Sequence, residues 1–532
     1  MTTPDDNKLH KAGMLSDDPT EDTVCVSLVP GLFKNTDIGN AERLVARFRG
    51  QIRYCPPRKR WLVWDGKRYL LDETGEINRR AKDTVRAIYD EAAKCRDGEQ
   101  RKAIAQHAHG SEQAKKLNAM ISIAQSEVDV PVLPNELDAD PWKLNVLNGT
   151  LDLRTGKLGP HRRQDLITRL APVEYSSDAQ CDLWDRFLSE ATGGDAELAR
   201  YLQRAVGYAL QGTATERAFF FLLGPPGTAK STFIDAVAAA LGDYHQAANF
   251  ETWLKQTNVG GNRGDLTRLA SARLVTSVEV RKGAKFDEAL IKAVTGGDEI
   301  TAAAKFEAEV TFRPAFALWL AANDAPDIRD DDEGAWARVR RIPFEHIIPA
   351  EKQDRTLKQK LTAPEVRAAV LAWAVRGCLD WQANGLGTAK AIELSTEAYR
   401  QDMDRVAGFF EDCCEFGSYA RVQRTALRRA YEDWCKENGV RTPLIGKEFA
   451  ARLREKGVKD NKSNGKRLWA GVRLVDPDEG DDRDTGAPRG TNLPELSHRA
   501  DNNTSRGEWA LGDPGAPVHD LERQSILEFG GG

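Results

Sequence analysis

Ala218-Phe-Phe-Phe-Leu-Leu-Gly224-Pro-Pro-Gly-Thr-Ala-Lys-Ser-Thr232-Phe-Ile-Asp-Ala-Val-Ala-Ala-Ala-Leu241 is the stretch that decides how the rest of the chain is read. An uninterrupted apolar run meets a Gly/Pro loop. Lys-Ser-Thr then opens a segment of good helix formers that stops at Gly242. The order is strand, tight loop, helix, with the strand Phe219–Leu223 buried on both faces and the helix over 233–241. A P-loop needs Gly, four residues, Gly, Lys and Ser or Thr in this context, because its backbone N–H groups and the following helix N-terminus cradle phosphate. Gly224, Pro225, Pro226, Gly227, Thr228, Ala229, Lys230, Ser231 and Thr232 supply the pattern, with Ala229 in place of the second glycine. These residues are the candidate ATP-binding set. Lys230 is expected at the β- and γ-phosphates, and the Ser231 hydroxyl on Mg²⁺. The Ala229 methyl is expected where the backbone crowds the phosphates.

Two further apolar runs, 273–280 and 316–321, alternate with helical segments, which predicts a parallel sheet covered on both faces. Sites of open α/β sheets lie at the carboxyl ends of strands. The strand Leu274–Glu279 within the second run ends in Glu279, the candidate carboxylate for Mg²⁺ and for catalysis; a plain surface glutamate is the competing reading. The third strand, extended as Phe316–Asn323, ends in Asn323, a candidate to orient the attacking water or touch the γ-phosphate, although Asn-Asp is also ordinary turn chemistry. Arg338, in Ala337-Arg-Val-Arg-Arg-Ile-Pro-Phe344, follows the acidic run Asp330–Glu333. It suits transition-state charge delivered from a neighbouring subunit, or a local ion pair with those acids.

These pieces in this order resemble the superfamily 3 helicases, and more closely the helicase part of phage and plasmid primases, shared with poxvirus primase-helicases. Lys292-Ala-Val-Thr-Gly-Gly-Asp298 resembles the family's B′ motif, Asn323 falls at its sensor 1 position and Arg338 at its arginine finger. The loop itself is similar to the Ala-Lys-Ser loops of minichromosome maintenance helicases. Upstream, Asp37–Glu42, Trp61–Gly66 and Asn148–Gly156 resemble the segment that precedes this helicase, so the likeness covers about 36–474. It implies an AAA+ α/β P-loop core, a hexameric ring moving 3′ to 5′ on DNA, Arg338 acting in trans, and a pore hairpin in which Lys305 contacts phosphate and Phe306 stacks on a base or packs on the sugar. An ordinary hairpin with one exposed lysine is the plainer alternative. Ala303 stands where relatives often carry Arg. The segment ahead of the helicase is too short for a primase domain, so primer synthesis is expected from a separate primase.

Between Arg441 and Arg473 there are ten Lys/Arg and three acids. The pattern helix (424–438), helix (446–456) and hairpin (459–465, 468–474) reads as a winged helix. Arg452, Arg454, Lys456, Lys459, Lys462, Lys466 and Arg467 are its candidate DNA contacts, and a solvated basic face is the bland alternative. The expected organisation is a flexible start (1–30), a mixed α+β region (31–175), a helical collar (176–215), the AAA+ core (216–400), the winged helix (405–475) and a disordered tail (476–532). One polar helical stretch is expected over 78–126.

The 532 residues, 41% hydrophobic and 30% charged with net charge -5, fit a multidomain globular protein. No apolar run reaches membrane-spanning length, and the acidic N-terminus is unlike a signal peptide. Eight scattered cysteines without a CxxC pair fit free thiols. The expected location is the cytoplasm of a bacterial host. The expected partners are single-stranded and forked DNA and further copies of the chain, without a membrane. The rival function is an AAA+ ATPase that remodels or loads replication proteins without unwinding; a DNA-binding scaffold without hydrolysis is a second rival.

Overall fold

The computed structural model describes residues 30–255, 263–279, 284–303, 310–328, 332–349, 354–403, 406–438, 443–463 and 465–475. All elements below lie within Met1–Leu474. The chain first forms an antiparallel meander of β1 (Ile52–Cys55), β2 (Arg60–Trp64) and β3 (Tyr69–Leu71). Asp65 makes the β2–β3 turn by accepting from the N–H groups of Lys67 and Arg68. Helix Asp37–Arg47 packs beside it. The polar stretch over 78–126 is not one helix but three, Glu76–Lys94, Gly98–Ser111 and Ala114–Ala124. The chain extends at Cys95, and the Asp97 side chain then accepts from Gln100 N–H. An aspartate that caps a new helix outcompetes continuation of the old one. The Arg43–Glu91 ion pair, fully buried, joins the first two helices of this region.

A second antiparallel sheet, β4 (Lys143–Val146), β5 (Gly149–Asp152) and β6 (Lys157–Gly159), leads to helices Asp182–Ala191 and Ala196–Leu210. The central sheet follows. Its strands are β7 (Phe219–Leu223), β8 (His245–Ala247) and β9 (Leu274–Val278), and, after the hairpin β10 (Ile300–Ala302) and β11 (Val310–Phe312), β12 (Ala317–Ala322) and β13 (Val339–Pro343). Its order is β13-β7-β12-β9-β8, with every pairing parallel. The runs around β7, β9 and β12 were legible in the sequence. β8 and β13 were not, because edge strands tolerate charge and brevity: Arg340 and Arg341 lie half-buried on β13.

Alternation along the strands divides the core in two. Phe220, Leu222, Trp319, Ala321 and Ile342 face helices Ala196–Leu210, Lys230–Leu241 and Pro364–Asn384. Phe219, Phe221, Leu318, Leu320 and Val339 face the other side, with Trp253, Phe286, Ile291 and Trp336. Helices Ala196–Leu210 and Pro364–Asn384 approach so closely that a Cβ on Gly207 would fall 2.1 Å from Cys378 N, and one on Gly377 2.0 Å from Gln203 O. The earlier segment is docked on this core by buried groups. Arg273 donates to Leu210 O and Lys143 O, both at 2.7 Å, and the Tyr244 hydroxyl accepts from Asn145 N–H at 2.9 Å.

Beyond helix Lys390–Met403 lies a smaller cluster: helix Ala407–Cys413, β14 (Cys414–Gln423), helices Arg424–Glu437 and Gly446–Glu455, β15 (Lys459–Ser463) and β16 (Lys466–Leu474). The sheet is antiparallel in the order β14-β16-β15 over a core of Phe409, Tyr431, Phe449, Leu453 and Trp469. Among the described residues no helix is long and apolar enough to cross a membrane.

Candidate active site

The parallel register brings the strand ends together. Ala322 is level with Leu223, and Ala321 with Val278. Gly224, Glu279 and Asn323 therefore leave the sheet at nearly one height. A cleft of about 270 Å³ opens there, lined by Lys230, Ser231, Val278, Glu279, Ala321, Ala322, Asn323 and Asp324. Four of the residues singled out in the sequence, Lys230, Ser231, Glu279 and Asn323, meet in it. Asp324 was missed: in the sequence it reads as the second half of an Asn-Asp turn, and only the register makes it face the cleft.

Gly224 is required by packing, since a Cβ there would sit 1.8 Å from Phe344 O at the end of β13. The loop then turns through Gly227 (φ 83°), and the Thr228 hydroxyl donates to Pro225 O at 2.9 Å. Pro225, Pro226 and Gly227 are exposed. Ala229 adopts the left-handed conformation (φ 65°, ψ 12°) that a glycine would take without strain. Its methyl packs against the core beneath the loop and does not line the cleft.

Lys230 starts helix Lys230–Leu241, and no side chain caps that helix. Its first N–H groups are thus available to an anion. Lys230 is 7% exposed, and its ammonium donates to Gly224 O (2.7 Å), Pro225 O (2.8 Å) and Thr228 Oγ1 (3.2 Å). Burial lowers its pKa below the ordinary lysine value. Across the cleft, Glu279 also has a positive φ, 71°, and its N–H donates to Ala321 O at 3.0 Å. Left-handed backbone at non-glycine residues costs about 1–2 kcal/mol each and gathers at functional sites. Ser231, Glu279, Asn323 and Asp324 present hard oxygen atoms, the donor set that suits Mg²⁺ completed by phosphate and water.

Arg338 is not part of this cleft. Its backbone carbonyl accepts from Phe219 N–H at the start of β7, the opposite end of the sheet. Its Nε donates to Thr295 Oγ1 at 3.1 Å and its Nη1 to Gly334 O at 2.5 Å. Asp332 pairs with Lys292 at 2.8 Å. Lys305 and Phe306 lie outside the described residues.

In the C-terminal cluster, Arg454, Lys456, Lys459, Lys462, Lys466 and Arg467 are exposed, while Arg452 is half-buried and pairs with Glu455 at 2.9 Å. Lys462 stands directly opposite Arg467 near the β15–β16 turn, a like-charge juxtaposition that costs stability without a counter-ion. The Arg454 and Arg424 guanidinium groups lie over Trp469, at 5.7 and 4.5 Å from the ring centroid.

Comparison with known proteins adds a frame. Residues 41–193 match the family described as D5 N terminal like, 222–341 a family of unknown function, and 401–467 the family described as Poxvirus D5 protein-like. "Putative helicase L207/L206" of Acanthamoeba polyphaga mimivirus is 24% identical over 53% of this chain and 32% of its own length. "Putative helicase 022R" of Frog virus 3 is 22% identical over 46% of this chain and 27% of its own. The chain thus spans about a third or less of those relatives. The solved C-terminal region of NrS-1 aligns over 79% of this chain and 95% of that one, at 11% identity and a TM-score of 0.43. With a D5 N-terminal segment followed in the same chain by a poxvirus D5-like one, this protein is a relative of the D5-like primase-helicase family.

Proposed function

We propose that this chain is an ATP-driven DNA helicase of the ring-forming AAA+ type, working 3′ to 5′ as a hexamer in phage, plasmid or viral DNA replication. The observation that carries this reading is the meeting of Lys230, Ser231, Glu279 and Asn323 in one cleft at the carboxyl ends of β7, β9 and β12. ATP would lie against the bare N-terminus of helix Lys230–Leu241, with Gly224–Thr232 wrapped around its phosphates. Lys230 already holds three oxygen atoms of its own loop. It would exchange them for β- and γ-phosphate oxygens. Ser231 and Glu279 would hold Mg²⁺, which when bound neutralises charge on the phosphates. Asn323 would orient the attacking water. Arg338, far from its own chain's cleft, would complete the cleft of a neighbouring subunit.

The C-terminal cluster supports DNA binding. Its helix–helix–hairpin order suits a winged helix, with Arg452, Arg454, Lys456, Lys459, Lys462, Lys466 and Arg467 as phosphate contacts. The Lys462–Arg467 repulsion would be relieved by a polyanion. The helicase names of the viral relatives point the same way. The test is ATP hydrolysis with and without single-stranded DNA, alongside unwinding of a 3′-tailed duplex, with Lys230→Ala as control. DNA-stimulated hydrolysis with unwinding, both lost in Lys230→Ala, is expected. Hydrolysis without unwinding favours a remodelling or loading ATPase, and no hydrolysis sinks the enzyme reading.

A further inference from the structure

We propose that Thr295 is a positioning residue for Arg338 and, through its helix, ties that arginine to the β10–β11 hairpin; the inference rests on the reading in which Arg338 serves a neighbouring ATP site. Thr295 lies in the last turn of helix Glu288–Gly296 and is 3% exposed. Its hydroxyl donates to Ile291 O at 2.6 Å, which leaves the oxygen lone pairs to accept. Arg338 Nε fills that acceptor at 3.1 Å, while Nη1 is held by Gly334 O at 2.5 Å. Two of the guanidinium's donor groups are thus fixed, from two different elements. Nη2 has no hydrogen bond among the described residues, and it is the edge left for an outside acceptor such as a phosphate oxygen. A planar fork held at two points presents its free edge in one orientation.

The acceptor is also mechanically placed. Lys292, one turn earlier on the same helix, pairs with Asp332, whose other oxygen accepts from Ala335 N–H at 3.0 Å. Helix Glu288–Gly296 and the short helix Glu333–Trp336 beside Arg338 are therefore joined at two points, Thr295–Arg338 and Lys292–Asp332. After Thr295 the chain turns at Gly297 (φ 72°) and enters β10 at Ile300. Glu299, just before that strand, pairs with Arg313, just after β11, at 3.1 Å. A load on the hairpin is thereby passed to the helix that carries the arginine's acceptor. The same contact would let strand position in one subunit adjust the finger offered to the next.

The test compares Thr295→Val, which keeps the shape and removes the acceptor, with Thr295→Ser, which keeps the acceptor. Steady-state hydrolysis is measured in the presence of single-stranded DNA, with Arg338→Ala in parallel and all melting temperatures recorded. Expected for Thr295→Val is a roughly ten- to hundredfold fall in kcat with KM for ATP within about twofold, the pattern of a misplaced transition-state group; Thr295→Ser keeps the parental rate. Mixing Thr295→Val with Lys230→Ala subunits, the one with an intact loop and the other with an intact finger, should restore hydrolysis above the sum of the two alone. Parental kcat in Thr295→Val beside an inactive Arg338→Ala overturns the positioning role alone. Equal loss in the Ser variant, or no rescue on mixing, does the same by assigning Thr295 to packing. A parental rate in Arg338→Ala overturns the shared-site reading and this inference with it.

Discussion

Removing the Arg338 guanidinium separates an ATP site shared between subunits from one contained in a single chain. Arg338 precedes β13, whose five residues run parallel to β7 up to the level of Leu223. Arg338 is level with Ala218, so at about 3.3 Å per residue its backbone stands roughly 20 Å from the loop at Gly224. Over that distance a unit charge acting within its own chain contributes about 0.8 kcal/mol at an effective dielectric of about 20, and so about fourfold in rate. An arginine placed directly on the transferring phosphate by another subunit is worth about 10³–10⁵ in rate. Arg338→Ala should therefore lower kcat at least about a thousandfold. The parental turnover per chain should also rise with protein concentration through the assembly range, because diluted subunits lack the finger. Turnover is measured by phosphate release across a dilution series, with light scattering on the same samples. A loss of about fourfold or less, or turnover per chain that is flat while the assembly dissociates, would refute the reasoning.

Two further outcomes follow from the geometry. Gly224→Ala places a Cβ 1.8 Å from Phe344 O; β13 or the loop must move, at a cost of about 1–3 kcal/mol, so both the melting temperature and ATP binding should fall, and an unchanged melting curve would contradict the packing. Burial lowers the pKa of His245 below its usual 6.5, only partly offset by Asp235, and the ring bonds Thr276 Oγ1 at 2.8 Å. The unfolded chain therefore takes up this proton before the folded one. Stability is full above pH 6.5 and falls as pH drops from there toward the folded value. The melting temperature should decrease between pH 7.5 and 5.5, and His245→Gln should blunt that decrease; equal decreases in both proteins would rule out His245 as a source.

Some features are written in local sequence. The strand–loop–helix order around Gly224–Thr232 is legible because strand, turn and helix each have a short-range signature. Helices 424–437 and 446–455 and the β15–β16 hairpin are legible from short-range signatures too. The residues at the ends of β9 and β12 could be nominated from the rule that such sheets work at strand ends, but not placed. Their meeting depends on a parallel register between β7, β9 and β12, which is set by side chains packing on both faces of the sheet and leaves no mark in any one segment. Asp324 enters the cleft by that register alone. The first of the two breaks in the 78–126 stretch turned on one aspartate cap, Asp97. The left-handed Ala229, partly buried against the core, and the close approach of Phe344 O to Gly224 are likewise products of tertiary packing. The sequence alone thus determined the chemistry available here: a Gly/Pro loop with a lysine at a helix start, an acid, an amide and an arginine. The tertiary structure alone decided that three of these converge in one cleft while the fourth stands at the far end of the sheet, held by Thr295, because only packing across strands sets distances between residues far apart in the chain.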